Sequence, residues 1–166
     1  MKKLLGAAAA RRYTAAATHV LHFSAQPGAG MKKGKEVVVV DGANVAYEEK
    51  SQSGKPKVSN LIAVRRALEE EGLDPIVIID ASLKYEVDDP DQLETLIESQ
   101  AVRQVPAKTD ADYFILQIAG EHNARVVTND QYKEYQKDHP WIAERRLPYM
   151  IVKGEVHLYE NNSDSE

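Results

Sequence analysis

The sequence predicts an α/β fold built on a central, mostly parallel sheet with helices on both faces. Three observations carry that expectation. Short runs of consecutive β-branched residues recur, Val37 to Val40 and Ile76 to Ile79 being the clearest, and uninterrupted apolar runs belong to strands buried on both faces. Between them lie stretches with apolar residues at helical spacing. Cap and turn residues separate the two kinds of segment, so strands and helices alternate as in βαβ units.

Taken in order, the first strand covers Val37 to Val40, and the polar stretch Tyr47 to Lys57 is a loop. Asn60 to Glu71 carries Leu61, Val64 and Leu68 on one helical face, with Gly72 placed as a C-terminal cap. Pro75 opens a second strand, Ile76 to Asp80. Asp88-Asp89-Pro90-Asp91 supplies helix-start chemistry for a helix that buries Leu93, Leu96 and Ile97. Ala101 to Val105 is a short third strand, and Thr109-Asp110 caps a helix with Phe114, Ile115, Ile118 and Ala119 inside. Arg125 to Thr128 is a fourth strand. Residues 131–137 and 141–146 form two short helical pieces interrupted by Pro140, and Tyr149–Val152 with Val156–Tyr159 make a terminal strand or hairpin around Lys153-Gly154-Glu155.

At 166 residues the chain is long enough to bury a core without staples. It has no cysteine, which excludes disulfides, zinc–thiolate centres and thiol nucleophiles. With five scattered histidines, any metal is expected on oxygen ligands. The net charge of −5 argues against a protein that coats nucleic acid, which would be basic. It leaves room for a carboxylate-based nuclease, because bound divalent ions reverse the local sign. Residues 1–30 hold Lys2, Lys3, Arg11 and Arg12 and no acid. The expected organisation is therefore a basic, Ala-rich extension over 1–34, a domain over 35–160 and a polar tail over 161–166. The extension suits a targeting presequence, a tail or a gene-start artefact, and the run Leu4 to Ala10 is too short for a membrane span. A cytoplasmic location is expected, or an organellar one if residues 1–30 are a genuine presequence.

In an open α/β sheet, ligands gather beyond the carboxyl ends of the strands, where strand order reverses. The first strand exits into Asp41-Gly42-Ala43-Asn44 and the fourth into Thr128-Asn129-Asp130, while Asp110 and Asp112 stand at the amino end of a helix whose dipole tolerates negative charge. Each acid taken singly has a structural explanation: Asp41-Gly42 as a turn, Asp110 and Asp130 as helix caps. Their delivery to one rim by three distant segments is what points to chemistry.

Those segments also carry a resemblance. Val-Val-Val-Asp41-Gly-Ala-Asn44-Val-Ala46, then Asp112-Tyr-Phe-Ile-Leu, then Val-Val-Thr-Asn-Asp130-Gln-Tyr-Lys-Glu134 together resemble the NYN domain of Regnase-type ribonucleases, within the PIN-like nuclease superfamily. The similarity runs from about Val37 to Tyr159 and includes Glu144-Arg145-Arg146-Leu147-Pro148-Tyr149. The resemblance implies a Rossmann-like, three-layer domain and Mg²⁺-dependent (alternatively Mn²⁺-dependent) endonucleolytic cleavage of single-stranded RNA. It implies Asp41, Asp112 and Asp130 as metal-site acids, with Asn44 orienting the first acid or the substrate. Glu134 stands where the family has Asp and would position water. Asp110 is an additional candidate acid, separated from Asp112 by Ala111 where the family commonly has adjacent acids. The CCCH zinc finger found beside this domain in animal relatives has no counterpart in a chain without Cys.

Carboxylates holding one or two divalent ions would activate water for in-line attack, leaving a 5′-phosphate and a 3′-hydroxyl. Lys84 after the second strand, which matches a basic family position, Lys108 before the acidic helix, and Arg145 and Arg146 are the candidate RNA-binding cations. Tyr47 and Tyr85 either stack bases or pack; Trp141 packs, and Arg65 and Arg66 are expected at the surface. A homodimer is compatible with the sequence. The rival functions are an inactive RNA-binding or scaffold module and a related Mg²⁺-dependent DNA nuclease. A dinucleotide-binding role fails because no Gly-x-Gly-x-x-Gly follows the first strand, and a haloacid-dehalogenase phosphohydrolase would need Asp-x-Asp there.

Overall fold

A computed structural model describes residues 34–160 and the backbone of residues 12–14. Five parallel strands form the central sheet: β2 (Val37–Asp41), β3 (Asp74–Ile79), β4 (Val102–Gln104), β5 (Arg125–Val127) and β6 (Arg146–Leu147), in the order β4-β3-β2-β5-β6. The chain lays down β2, β3 and β4 in one direction, then crosses back to place β5 on the other side of β2. A second, antiparallel sheet pairs β7 (Tyr149–Val152) with β8 (Glu155–Leu158), and β1 (Arg12–Thr14) adds to the free side of β8. The expected hairpin is thus present. Residues 12–14, within the basic extension expected to lie outside the fold, pair with β8.

Burial follows the strand alternation. Val38 and Val40 of β2 join the core formed with helices α1 (Gly42–Glu48), α2 (Val58–Glu70) and α3 (Pro90–Glu98). Val39 faces the other layer, where α4 (Ala111–Glu121) and α5 (Ile142–Arg145) pack. In β3, Val77 and Ile79 face the first layer and Ile76 and Ile78 the second. All three valines 38–40 are fully buried, each such side chain contributing roughly 1.5–3 kcal/mol. Helices on both faces make the domain the three-layer α/β sandwich expected.

The helix ends follow their local chemistry. Asp89 accepts from the Gln92 N–H at 3.0 Å and Pro90 occupies the first helical position of α3. Gly72 ends α2 in a left-handed conformation with φ +80°, its N–H and that of Leu73 donating to the Glu69 and Leu68 carbonyls. Arg65 is buried, not exposed: its guanidinium donates to the Pro75 and Ala101 carbonyls at 3.2 and 2.9 Å and pairs with Glu69. Arg66 keeps the expected exposed position, paired with Glu70.

Three elements depart from expectation. Residues 42–48 form a helix where the sequence suggested a turn leading into a loop; α1 is too short to show periodicity. It is held at one end by the Asp41 cap, while the buried Asn60 amide donates to the Val45, Ala46 and Glu49 carbonyls at the other. Residues 131–137 are mostly not helical, because Tyr132 adopts a left-handed conformation (φ 49°, ψ 39°) and only a 3₁₀ turn at Lys133–Tyr135 follows. The second helical piece stops at Arg145, and Arg146–Leu147 pairs in parallel with β5. No helix among the described residues is long and apolar enough to cross a membrane.

Gly42 shows why α1 can start where it does. A Cβ at this position would lie 2.5 Å from the Ile79 Cγ2 and 2.7 Å from the Ile78 carbonyl oxygen. Glycine is required here by the close approach of α1 to β3. Gly42→Ala is expected to destabilise the fold by about 1–3 kcal/mol through overpacking, read by chemical denaturation. Unchanged stability would show that the two elements separate freely.

Candidate active site

The parallel register builds the site from the strand ends. Asp41 is the last residue of β2, and Val40 pairs with Val127, so Thr128 emerges from β5 beside Asp41. This is where strand order reverses, the position that suits ligand binding in such sheets. The chain then returns Asp110 and Asp112 to the same place at the amino end of α4, which crosses from β4 to β5.

Asp41 is 6% exposed, and a carboxylate so placed needs donors. Its Oδ1 accepts from the Asn44 N–H at 3.2 Å, and its Oδ2 accepts from the Thr128 hydroxyl at 3.0 Å and the Tyr132 hydroxyl at 2.8 Å. Burial pushes the Asp41 carboxyl above the ordinary range, opposed by the hydrogen bonds from Tyr132, Asn44 and Thr128. Burial, reinforced by Asp41, also raises the Tyr132 phenol, so that it stays a donor.

Asp112 is half-buried in the first turn of α4, where its N–H donates to the Asp110 carboxylate at 3.0 Å. Its carboxyl is pushed up to about 7, first by burial and then by the charges of Asp41, Asp110, Asp130 and Glu134. Asp130 is exposed, with its N–H on the Thr128 hydroxyl at 3.1 Å and its Oδ1 accepting from the Tyr132 N–H at 2.7 Å. Asp110 caps α4 and also accepts from the Tyr135 hydroxyl. The other four acids of the sequence analysis, Asp41, Asp110, Asp130 and Glu134, thus all act electrostatically on Asp112.

Asn44 is fixed by its neighbours. Its carbonyl oxygen accepts from the Asn129 N–H at 3.0 Å and the Tyr149 hydroxyl at 2.8 Å. Because the Asn129 N–H can only donate, the carboxamide cannot be flipped, and its NH₂ is left as a donor with no hydrogen bond among the described residues. Asn129 in turn joins the site to the second sheet, exchanging hydrogen bonds with the Tyr149 backbone at 2.9 and 3.2 Å. Thr128, Asn129, Tyr132 and Tyr149 were not selected from the sequence. The one available signal was two polar residues, Thr128-Asn129, directly after an apolar strand.

The cations are placed differently from one another. Lys84 lies in the 3₁₀ turn after β3, half-buried, with its ammonium 5.1 Å from the Tyr85 ring centre. Lys108 is exposed just before α4, in a left-handed conformation with φ 62°. Arg145 stacks on Trp141, with its guanidinium 4.8 Å from the ring centre. Arg146 donates to the Asp130 carbonyl at 3.1 Å and approaches the Asn129 carbonyl, bracing the loop that carries Asp130. Tyr85 is 79% exposed, whereas the Tyr47 hydroxyl bonds Glu86.

An oxygen-only donor set of several carboxylates suits a hard divalent cation such as Mg²⁺, and the raised Asp112 carboxyl marks a surplus of negative charge that a cation would relieve. Among the described residues no three Asp, Glu or His side chains already stand in a metal-holding arrangement. Asp130 and Glu134 stand exposed at the rim.

Residues 34–165 match the Zc3h12a-like ribonuclease NYN domain. The chain belongs to this ribonuclease NYN family. Two solved structures of the nuclear protein-only RNase P 2 (PRORP2) of Arabidopsis thaliana share this fold. One aligns with a TM-score of 0.59 at 22% identity over 75% of this chain, the other with 0.60 at 23% over 79%. The NYN chain spans 29% and 31% of those two proteins, under a third of their length. No curated protein sequence gives a significant match.

The charge surplus makes a prediction. The folded state raises Asp112 to about 7 from 3.8. The cost of ionising it is absent below about pH 3.8, grows as pH rises, and is complete above about 7. In EDTA, Asp112→Asn should melt higher than the parent chain at pH 8, with the difference shrinking toward pH 4.5. A parent chain more stable than the variant at pH 8 in EDTA would contradict the charge surplus.

Proposed function

We propose that this NYN ribonuclease domain is a divalent-metal-dependent endonuclease that hydrolyses single-stranded RNA to 5′-phosphate and 3′-hydroxyl ends. The observation that carries the proposal is the Asp112 carboxyl surrounded by four further acids at the switch point of a parallel sheet. Membership of a ribonuclease family supports it.

In this reading Asp41 and Asp130 are the anionic oxygens that hold the cation, with Asp112 a ligand directly or through water. A divalent cation bound there would supply Lewis acidity, making water nucleophilic at neutral pH and offsetting charge on the scissile phosphate. Glu134, exposed on the 3₁₀ turn beyond Asp130, would orient the attacking water. The fixed NH₂ of Asn44 would donate to the substrate, since its other end is already spent on Asn129 and Tyr149. Lys84 and Lys108 would hold backbone phosphates, where a cation contributes affinity without base preference. The exposed ring of Tyr85 would stack a base, an interaction that an unpaired strand permits. Arg146 contributes by holding the Asp130 loop.

The test is cleavage of end-labelled single-stranded RNA by the full chain with Mg²⁺, Mn²⁺ or EDTA, beside matched single-stranded DNA. RNA should be cut only with metal, leaving 5′-phosphate ends. Asp41→Asn and Asp130→Asn should each lose at least about 100-fold in rate while remaining folded. Binding of RNA without cleavage in any metal would favour the RNA-binding module, and equal cutting of DNA would favour the DNA nuclease. A chain that cuts RNA equally well in EDTA would overturn the metal requirement.

A further inference from the structure

We propose that Tyr132, together with Thr128, is a positioning residue that decides which carboxylate oxygens of Asp41 and Asp130 face a divalent cation. The inference rests on the reading of the rim as a metal site and adds the atoms through which it works. A carboxylate oxygen accepts about two hydrogen bonds. Oδ2 of Asp41 takes the Thr128 hydroxyl at 3.0 Å and the Tyr132 hydroxyl at 2.8 Å, so its places are filled. Oδ1 takes the Asn44 N–H alone, at 3.2 Å, and keeps a place for a ligand. On Asp130, Oδ1 is occupied by the Tyr132 N–H at 2.7 Å, and Oδ2 has no hydrogen-bond donor among the described residues. The available atoms are Asp41 Oδ1 and Asp130 Oδ2.

Tyr132 grips both acids at once, Asp41 through its hydroxyl and Asp130 through its backbone N–H. Thr128 does the same with one atom, donating to Asp41 and accepting from the Asp130 N–H. The left-handed backbone at Tyr132 (φ 49°) is uncommon for a residue with a large side chain and is held by the Asp130 bond. Tyr132 is 2% exposed within the second core layer. Packing alone would be served by phenylalanine; the buried hydroxyl is accounted for by Asp41. Tyr149 is the natural contrast, since its hydroxyl reaches Asn44 and no acid.

The experiment measures Mn²⁺ affinity of the full chain by titration calorimetry, with melting temperatures in EDTA recorded in parallel. Tyr132→Phe should fold and bind Mn²⁺ about 10- to 100-fold more weakly, the range typical when a group orienting a metal ligand is removed. Tyr159→Phe, whose hydroxyl has no hydrogen bond to either acid among the described residues, should bind Mn²⁺ as the parent does. A folded Tyr132→Phe with parental affinity overturns the proposal. If that variant does not fold, Thr128→Val, which removes the other donor to the same oxygen, decides by the same criterion. A parent chain that binds no Mn²⁺ overturns the metal-site reading as well. A parent that binds Mn²⁺ and cuts RNA, with variants that bind equally well, overturns this inference alone.

Discussion

Asp41 ends the central strand with its carboxylate almost entirely out of water, and a group in that position must find donors or lose its charge. Desolvating a carboxylate costs several kcal/mol, and hydrogen bonds to a charged group return about 1.5–3 kcal/mol each. The three donors to Asp41 come from the first turn of α1, from the exit of β5 and from Tyr132. Each therefore ties a separate piece of chain to the end of β2. The short helix α1 begins on that carboxylate, and the Tyr132 hydroxyl, carried on a left-handed turn, reaches it from beyond β5.

The same arrangement explains why the acids do not relax apart. Their carrying elements are fixed by the sheet and its helices: β2 and β5 by register, α4 by its Asp110 cap, the Asp130 loop by Arg146 and Asn129. Burial and the neighbouring acids push the Asp112 carboxyl up to about 7. Fixed supports that carry closely spaced negative charge are the kind of arrangement through which preorganised electrostatics can assist phosphoryl chemistry.

The fold class was legible because buried parallel strands write themselves as uninterrupted β-branched runs, and because Asp89-Pro90, Asp110 and Gly72 announce helix ends. The acids were legible through their shared place at strand exits and through the family's ordered motifs. What supports them was not. Asn60 looked like the start of an ordinary helix, yet it holds the end of α1 across 14 residues of chain. Tyr132 and Tyr149 act on Asp41 and Asn44 from 91 and 105 residues away, and no periodicity encodes such pairs. Arg65 looked like a surface cation because helix position alone does not reveal carbonyls arriving from two other segments. The 131–137 stretch has helical composition, but the bond from its own N–H to Asp130 commits Tyr132 to another conformation.

On the proposed function, buried and exposed acids of three segments share one cation at the exit of β2 and β5. A crystal of the full chain soaked in Mn²⁺ and measured at a wavelength where manganese scatters anomalously tests it most directly. An anomalous peak is expected within coordination distance of Asp41 Oδ1 and Asp130 Oδ2, with Asp112 facing it. A fully occupied peak elsewhere on the molecule, or none at this rim in millimolar Mn²⁺, would contradict it.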